Sequence, residues 1–361
     1  MDFIQRSSHT ISAALIIAGS FFFSTVTVDA GAVPSAAMQE DMQYLTASQL
    51  SEEENLLAIL WVQRSAEFRG LSYQAYNLAA MEVDKAIAQR REQEKVLRKT
   101  KVKENPSTQP EYLRPLAVVL DIDDTIVSNA PYKAHFIIKH PGGKESDIWE
   151  QWIRQHKDLV PGAKEFLNYV RSRGIQIFYV TGRGPQDKEA TIGFFRRTGL
   201  PFTDETHLLM NDRSGSKMKH FAKLARRYDI ICYLGDNAGD FPIGAVRDEN
   251  PITYLKTADN NTKNDSVGNL SNVKTAEQND IKIKQPMPLD VPAMLKYDKN
   301  KKRNAIIDTH KKSFGTKFIL LPNPMYGDWE YNLTKKYRKL PAEQRIALRK
   351  AAIKSFTYKG K

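Results

Sequence analysis

A single cysteine, Cys232, occurs in the 361 residues of the chain. That excludes an intramolecular disulfide and any metal centre built from cysteines. Cys232 lies inside the apolar run Ile230-Ile231-Cys232-Tyr233-Leu234, which predicts a buried strand thiol rather than a nucleophile. Long apolar segments are equally scarce: the one extended example runs from Ile11 to Phe23. It follows Arg6 and His9 and precedes Val28-Asp29-Ala30, the order of a secretory signal peptide, here residues 1–30 with cleavage after Ala30. Thr10, Ser12, Ser20 and Ser24 flank or interrupt it, which suits a cleaved leader better than a stable membrane anchor. A glycine-rich phosphate loop is missing beside the first predicted strand, which argues against a dinucleotide-binding module. The net charge is +12, a field that attracts anionic partners. No basic–aromatic repeat accompanies it, so no dedicated nucleic-acid groove is expected.

What is present is the patterning of a globular chain, with hydrophobic residues at 41% and length enough for a sizeable core. Residues 31–50 read as the tail of the mature chain. Ser51-Glu52-Glu53-Glu54 reads as a capping box opening a helical region to about Lys95, with a break near Arg69-Gly70-Leu71. A basic linker, 96–113, follows, so that 31–113 forms a helical region plus linker. Strands are predicted at Leu116–Leu120, Ile175–Val180 and Ile230–Leu234, with helices near Ala163–Arg173, Asp187–Arg197 and Lys217–Arg227. Such alternation predicts an α/β fold with a mostly parallel sheet. Residues 244–300 break the pattern; Asp259 to Asp280 is rich in Asn, Lys, Thr and Asp and reads as an insertion. Lys299 to Arg303 reads as a basic tail-like stretch. Order resumes near Phe314-Gly315, and Pro341 to Phe356 reads as a basic C-terminal helix.

Polar clusters follow the three strands directly, where ligands bind in open α/β sheets. Asp121, Asp123 and Asp124 crowd the end of the first. Like charges so placed raise one another's pKa or demand a cation, and magnesium accepts hard oxygen ligands. An aspartate can also attack phosphorus. Asp236 and Asp240 follow the third strand in Gly235-Asp236-Asn237-Ala238-Gly239-Asp240-Phe241. Thr181-Gly182-Arg183 offers a hydroxyl and backbone donors for phosphate oxygens, with Arg183 either assisting or a surface cation. Lys217, at a predicted helix start, can neutralise a phosphoryl group, with Lys219 a weaker substitute. Read singly, each cluster also matches an acidic loop or a simple turn.

Together the D-x-D-x-T motif, the later threonine, Lys217 and G-D-N-x-x-D-F resemble the haloacid dehalogenase superfamily, and within it the class C acid phosphatases of the bacterial lipoprotein e(P4) group. Further stretches carry the likeness: Ser65 to Asn77, Asn129-Ala130-Pro131-Tyr132, Trp149-Glu150-Gln151-Trp152, Val160-Pro161-Gly162-Ala163 and Leu321 to Glu330. The resemblance implies a Rossmannoid core over 114–355, a smaller mainly helical cap from 126–160 and the N-terminal helices, and an insertion at 244–300. It implies Asp121 as nucleophile and magnesium ligand. Asp123 would be acid and base, with its carbonyl on the metal. Asp236 would be a direct ligand and Asp240 a support of the metal shell. Thr181, Gly182 and Lys217 would bind phosphate, and Trp149 and Tyr326 a base or nicotinamide ring, with Trp152 structural. The implied activity is hydrolysis of a small phosphate monoester, a nucleoside 5'-monophosphate or nicotinamide mononucleotide, through an aspartyl-phosphate. The alternatives are a broad acid phosphatase or phosphotransferase, and then a non-catalytic nucleotide-binding protein. Two further implications are a periplasmic or secreted bacterial enzyme and a homodimer. Unlike that group, this chain has no lipoprotein cysteine, which favours an unanchored enzyme.

Overall fold

The computed structural model describes residues 46–101, 113–139, 145–211, 216–243 and 290–356. Three helices lead: α1 (Ala47–Glu53), α2 (Leu56–Arg64) and α3 (Ala66–Lys101). Then come β1 (Leu116–Leu120), α4 (Ala130–Lys139), α5 (Glu145–Gln155), α6 (Ala163–Ser172), β2 (Gln176–Val180) and α7 (Lys188–Thr198). The short β3 (Leu208–Leu209), α8 (Met218–Arg227) and β4 (Asp229–Gly235) follow. After residue 289 come α9 (Val291–Leu295), α10 (Asn300–Thr309), β5 (Phe318–Leu320), α11 (Asp328–Tyr331) and α12 (Ala342–Ala352).

The five strands form one sheet in the order β3-β2-β1-β4-β5, every neighbouring pair parallel. Leu-Ala-Val-Val-Leu in β1 and Gln-Ile-Phe-Tyr-Val in β2 are near-continuous apolar runs because both faces of a parallel sheet are covered. Side chains alternate between the faces. Val118, Leu120, Ile177, Tyr179, Cys232 and Leu234 join one apolar cluster; Ala117, Val119, Phe178, Val180 and Tyr233 join the other. Helix α3 covers the first face. Its Phe68, Ser72, Tyr76, Ala79 and Val83 are all buried, a three- and four-residue spacing that makes one stripe.

Several boundaries differ from the sequence reading. The capping box is formed by Thr46 and Gln49, not at Ser51: Thr46 Oγ1 accepts from the Gln49 amide at 3.2 Å, and Gln49 Oε1 accepts from the Thr46 amide at 2.8 Å. Ser51 is instead buried inside α1. Arg349 of α12 donates to its hydroxyl at 3.1 Å and pairs with Glu330 at 2.6 Å and with Glu54. Residues 46–50, read as tail, therefore belong to the capped helix α1. The helical region breaks at Ser65, which is extended at ψ 141° and whose hydroxyl accepts the Phe68 amide at 3.0 Å. Gly70 lies within α3; a glycine costs a helix only about 1 kcal/mol, and tertiary burial of the stripe outweighs it. Helix α3 also continues to Lys101, six residues into the stretch read as linker. Regular structure is already present ahead of Phe314: the Asp290 carboxylate caps α9 through the Ala293 amide at 2.9 Å, and α10 follows. The basic stretch Lys299 to Arg303 is part of the α10 turn rather than a tail. The signal-peptide reading, the tail over 31–45 and the bulk of the insertion, 244–289, lie outside the described residues. Among the described residues, no helix is long and apolar enough to cross a membrane.

Burial pushes the Cys232 thiol up to about 12, and the thiolate is the reactive form. The native protein is therefore expected to leave Cys232 unlabelled by a thiol reagent at pH 8, with complete labelling in denaturant; rapid native labelling would place that strand outside the core.

Candidate active site

Strand order places the ends of β2, β1 and β4 side by side, so the three polar clusters converge. The ladder extends one residue past β1, β2 and β5: the Asp121 amide donates to the Leu234 carbonyl at 2.9 Å, Thr181 to Leu209 at 3.0 Å and Leu321 to Gly235 at 2.9 Å. Asp121 and Asp236 therefore lie on adjacent strand ends. Asp124 then turns the chain in the left-handed region at φ 54°, a conformation Asp tolerates better than most residues.

Carboxylate oxygens of Asp121, Asp236 and Asp240 all lie within 4.8 Å of one another. Lys217, at the amino end of α8, bridges two of them: its ammonium donates to Asp121 and reaches Asp240 at 2.7 Å. Gly235 permits this geometry, because a Cβ there would stand 2.2 Å from that of Asp240. Asp240 also accepts the Asn237 amide at 2.8 Å. Asp236 accepts the Asn323 amide group at 2.8 Å and the Thr125 hydroxyl at 3.4 Å. Lys219 is exposed on α8, and Lys217 is the lysine at the cluster.

Asp123 points to a different partner. Arg183, buried, donates to its two oxygens at 3.0 and 2.7 Å, and the Asn129 side chain adds a bond at 2.9 Å. The alternative of Arg183 as a surface cation is thereby removed. Thr181 is buried behind it, its hydroxyl accepting the Arg183 amide at 3.1 Å, while Gly182 is exposed with open space beside it. Trp149 packs edge-on against Tyr132 at 5.1 Å, with the Arg183 guanidinium 5.3 Å from its ring centre. Tyr326, far along the chain, is brought back after β5; its hydroxyl donates to Asp124 and its ring lies 4.9 Å from the Lys133 ammonium. Trp152 donates to Asn129 at 3.1 Å and stacks on His156 at 4.0 Å.

Burial is the largest influence on these acids. It raises Asp121 to about 7, reinforced by Asp240 and Asp123 and opposed by Lys217. It raises Asp124 to about 6 against the Tyr326 and Asn129 hydrogen bonds. Asp236 is held well above the ordinary carboxylate range by burial and by Asp240, Asp121 and Asp124. Burial works the same way on Asp123, but Arg183 and Asn129 outweigh it and hold that carboxyl low. One pair of neighbouring acids is thus split into two electrostatic environments.

Three buried or half-buried carboxylates with one lysine between them form a hard-oxygen donor set. Among the described residues, Asp236 has no cation at ion-pair distance. These features fit magnesium. The residues that sequence reasoning did not assign a role are Asn129, Asn323 and Asn237. Asn129 and Asn323 lie in the Asn129-Ala130-Pro131-Tyr132 and Leu321-Pro322-Asn323 stretches, whose only signal was their likeness to a family.

A parallel α/β sheet with an acid-rich, lysine-bridged cluster at its carboxyl ends defines an aspartate-based phosphohydrolase. The chain belongs to the HAD superfamily, subfamily IIIB (acid phosphatase), whose family model matches residues 26–329, and it is an enzyme of that class. It is similar to the class C acid phosphatase of Bacillus anthracis, with 27% identity and a TM-score of 0.58 over 86% of this chain and 100% of that one. A structure of the Bacillus anthracis class C acid phosphatase with tungstate bound matches equally, at 27% identity, TM-score 0.58 and the same 86% and 100% coverage.

For an acid whose folded pKa exceeds its unfolded value of about 3.9, the folded state binds the extra proton between the two values. Stability therefore falls as pH rises through that window. With Asp121 near 7 and Asp124 near 6, the metal-stripped protein is expected to lose stability between pH 4 and 8. Magnesium should raise the melting temperature more at pH 8 than at pH 5. An equal increment at both values would contradict the carboxylate crowding.

Proposed function

We propose that this acid phosphatase is magnesium-dependent and hydrolyses nucleoside 5'-monophosphates or nicotinamide mononucleotide through a phosphoryl group carried on Asp121. The observation that carries the reading is the split between the two aspartates, Asp121 against Lys217 and Asp123 against Arg183 and Asn129. In the first step an Asp121 oxygen bonds to phosphorus and the ester P–O bond breaks. The leaving oxygen takes a proton from Asp123. In the second, Asp123 removes a proton from water as that water's oxygen bonds to phosphorus. The bond to Asp121 breaks, releasing phosphate and restoring the acid. Asp123 is held ionised by Arg183, so its acid role requires that pairing to loosen as substrate arrives.

Lys217, Thr181 and the Gly182 backbone would hold phosphoryl oxygens, offsetting charge where it develops. Magnesium, held by Asp121, Asp236 and the Asp123 carbonyl with Asp240 behind them, would supply neutralisation of the phosphate charge. The tungstate complex of the similar Bacillus anthracis enzyme supports an oxyanion site of this kind, tungstate being a tetrahedral oxyanion like phosphate. The nucleotide preference rests on Trp149 and Tyr326, aromatic groups within reach of the Asp123 and Asp124 side of the cluster, which suit stacking on a flat ring. We also place the mature enzyme outside the cytoplasm, after cleavage at Ala30, as a homodimer; N-terminal sequencing of the mature chain and sedimentation test both.

Asp121→Asn is expected to lower kcat by more than about a thousandfold, and Asp123→Asn by about 10²–10⁴-fold, each with the fold intact by circular dichroism. Full activity in Asp121→Asn would remove the nucleophile assignment. Phosphate release should favour nucleoside monophosphates and nicotinamide mononucleotide over an aryl phosphate and should stop with a chelator. Equal rates on all three substrates would leave a broad acid phosphatase.

A further inference from the structure

At the other end of the sheet from the aspartates, α3 passes over the amino ends of β1 and β4 and leaves a cleft of about 420 Å³. Lys85, Gln89, Arg90 and Gln93 line it from the helix, Asp229 and Lys317 from the strand ends. Lys85, Gln89 and Gln93 recur at four-residue spacing and so share one face of α3.

The charges around this cleft do not balance. Asp229 is already shared by two arginines, Arg90 at 2.7 Å and Arg114 at 2.6 Å. Glu82, also on the lining, lies 3.5 Å from Lys85. Lys317 has no carboxylate at ion-pair distance among the described residues; its ammonium donates to the Ile230 carbonyl. Three cations of the lining, Lys85, Arg90 and Lys317, together with Arg114 behind Asp229, are thus set against two carboxylates. Arg90 adds a second unmet demand, because its Nε is buried with no hydrogen-bond partner. Burial pushes the Lys317 ammonium below its ordinary range against the field of Asp229, as expected of a cation withdrawn from water with no carboxylate in contact.

We propose that this cleft is a second ligand site that takes a small dianionic oxyanion, a phosphate-type or dicarboxylate group, on Lys317 and Arg90, with the Gln89 and Gln93 amides as additional donors. A doubly charged oxyanion supplies the missing counter-charge and accepts charge-assisted hydrogen bonds from ammonium and guanidinium groups. The site is independent of the catalytic reading, since none of its residues belongs to the aspartate cluster.

The test is calorimetric titration of sulfate and, separately, succinate into the full-length, magnesium-loaded enzyme at constant ionic strength. Saturable binding of at least one anion is expected, weakened about tenfold in Lys317→Gln by loss of a charged donor. It should also weaken in Gln89→Glu, which adds a repelling charge on the exposed side of α3. Activity toward phosphate esters should stay within about twofold of wild type in both. Preference for sulfate assigns a phosphate-type ligand, and preference for succinate a dicarboxylate. Absence of saturable binding, or affinities unchanged in the variants, overturns the proposal; anion binding confined to the catalytic site would give the latter result. Should Lys317→Gln fail to fold, Gln89→Glu decides, because its side chain lies on the exposed helix surface.

Discussion

Mutual repulsion among the carboxylates at the ends of β1 and β4 is the constraint around which the site is built. Asp121, Asp236 and Asp240 sit within 4.8 Å of one another, and separated like charges in a low-dielectric site are costly unless cations or protons intervene. Lys217 and Arg183 are the chain's own answer, and each takes a different aspartate. The same crowding suits the cluster, in the function proposed, to a divalent cation and a phosphoryl group. Folding energy is given up locally so that binding can recover it, a common arrangement where function is concentrated.

The scaffold makes this arrangement hold. Apolar side chains on both faces of the sheet fix the register of β1 against β2 and β4, and that register sets which polar residues meet at the strand ends. Edge strand β5 then carries the chain to Asn323 and Tyr326, which reach Asp236 and Asp124. Residues separated by 202 positions are thus hydrogen-bonded across one cleft. Arg349 ties the C-terminal helix to α1 and to Glu330, so the two ends of the described chain close on each other.

Much of this was legible in the sequence. The strands β1, β2 and β4 announce themselves as apolar runs ending in polar residues; Asp121 and Asp236 follow from their placement at those ends, and Lys217 from its place at a helix start. The two-residue β3 carries no periodicity that distinguishes it from a loop. Ser51 resembled a cap because Glu lies three residues on, yet Thr46 with Gln49 satisfies the helix amides and Ser51 serves Arg349 instead. Arg183 was ambiguous because a sequence does not show which carboxylate a cation meets; only the adjacency of the β1 and β2 ends turns it toward Asp123. The Asn129 side chain joins Asp123 to Trp152, and Asn323 reaches Asp236 from 87 positions away; nothing in their local spacing marks that.

In the mechanism proposed, Asp121 carries the phosphoryl group while Asp123 handles protons. Rapid-quench mass spectrometry of the magnesium-loaded enzyme, mixed with a nucleoside monophosphate and stopped in acid within one turnover, tests it directly. A transient phosphoryl adduct is expected on the peptide containing Asp121, lost in Asp121→Asn and accumulating in Asp123→Asn with a substrate bearing a good leaving group. An adduct on another residue, or burst-free turnover with no adduct on that peptide, would contradict it.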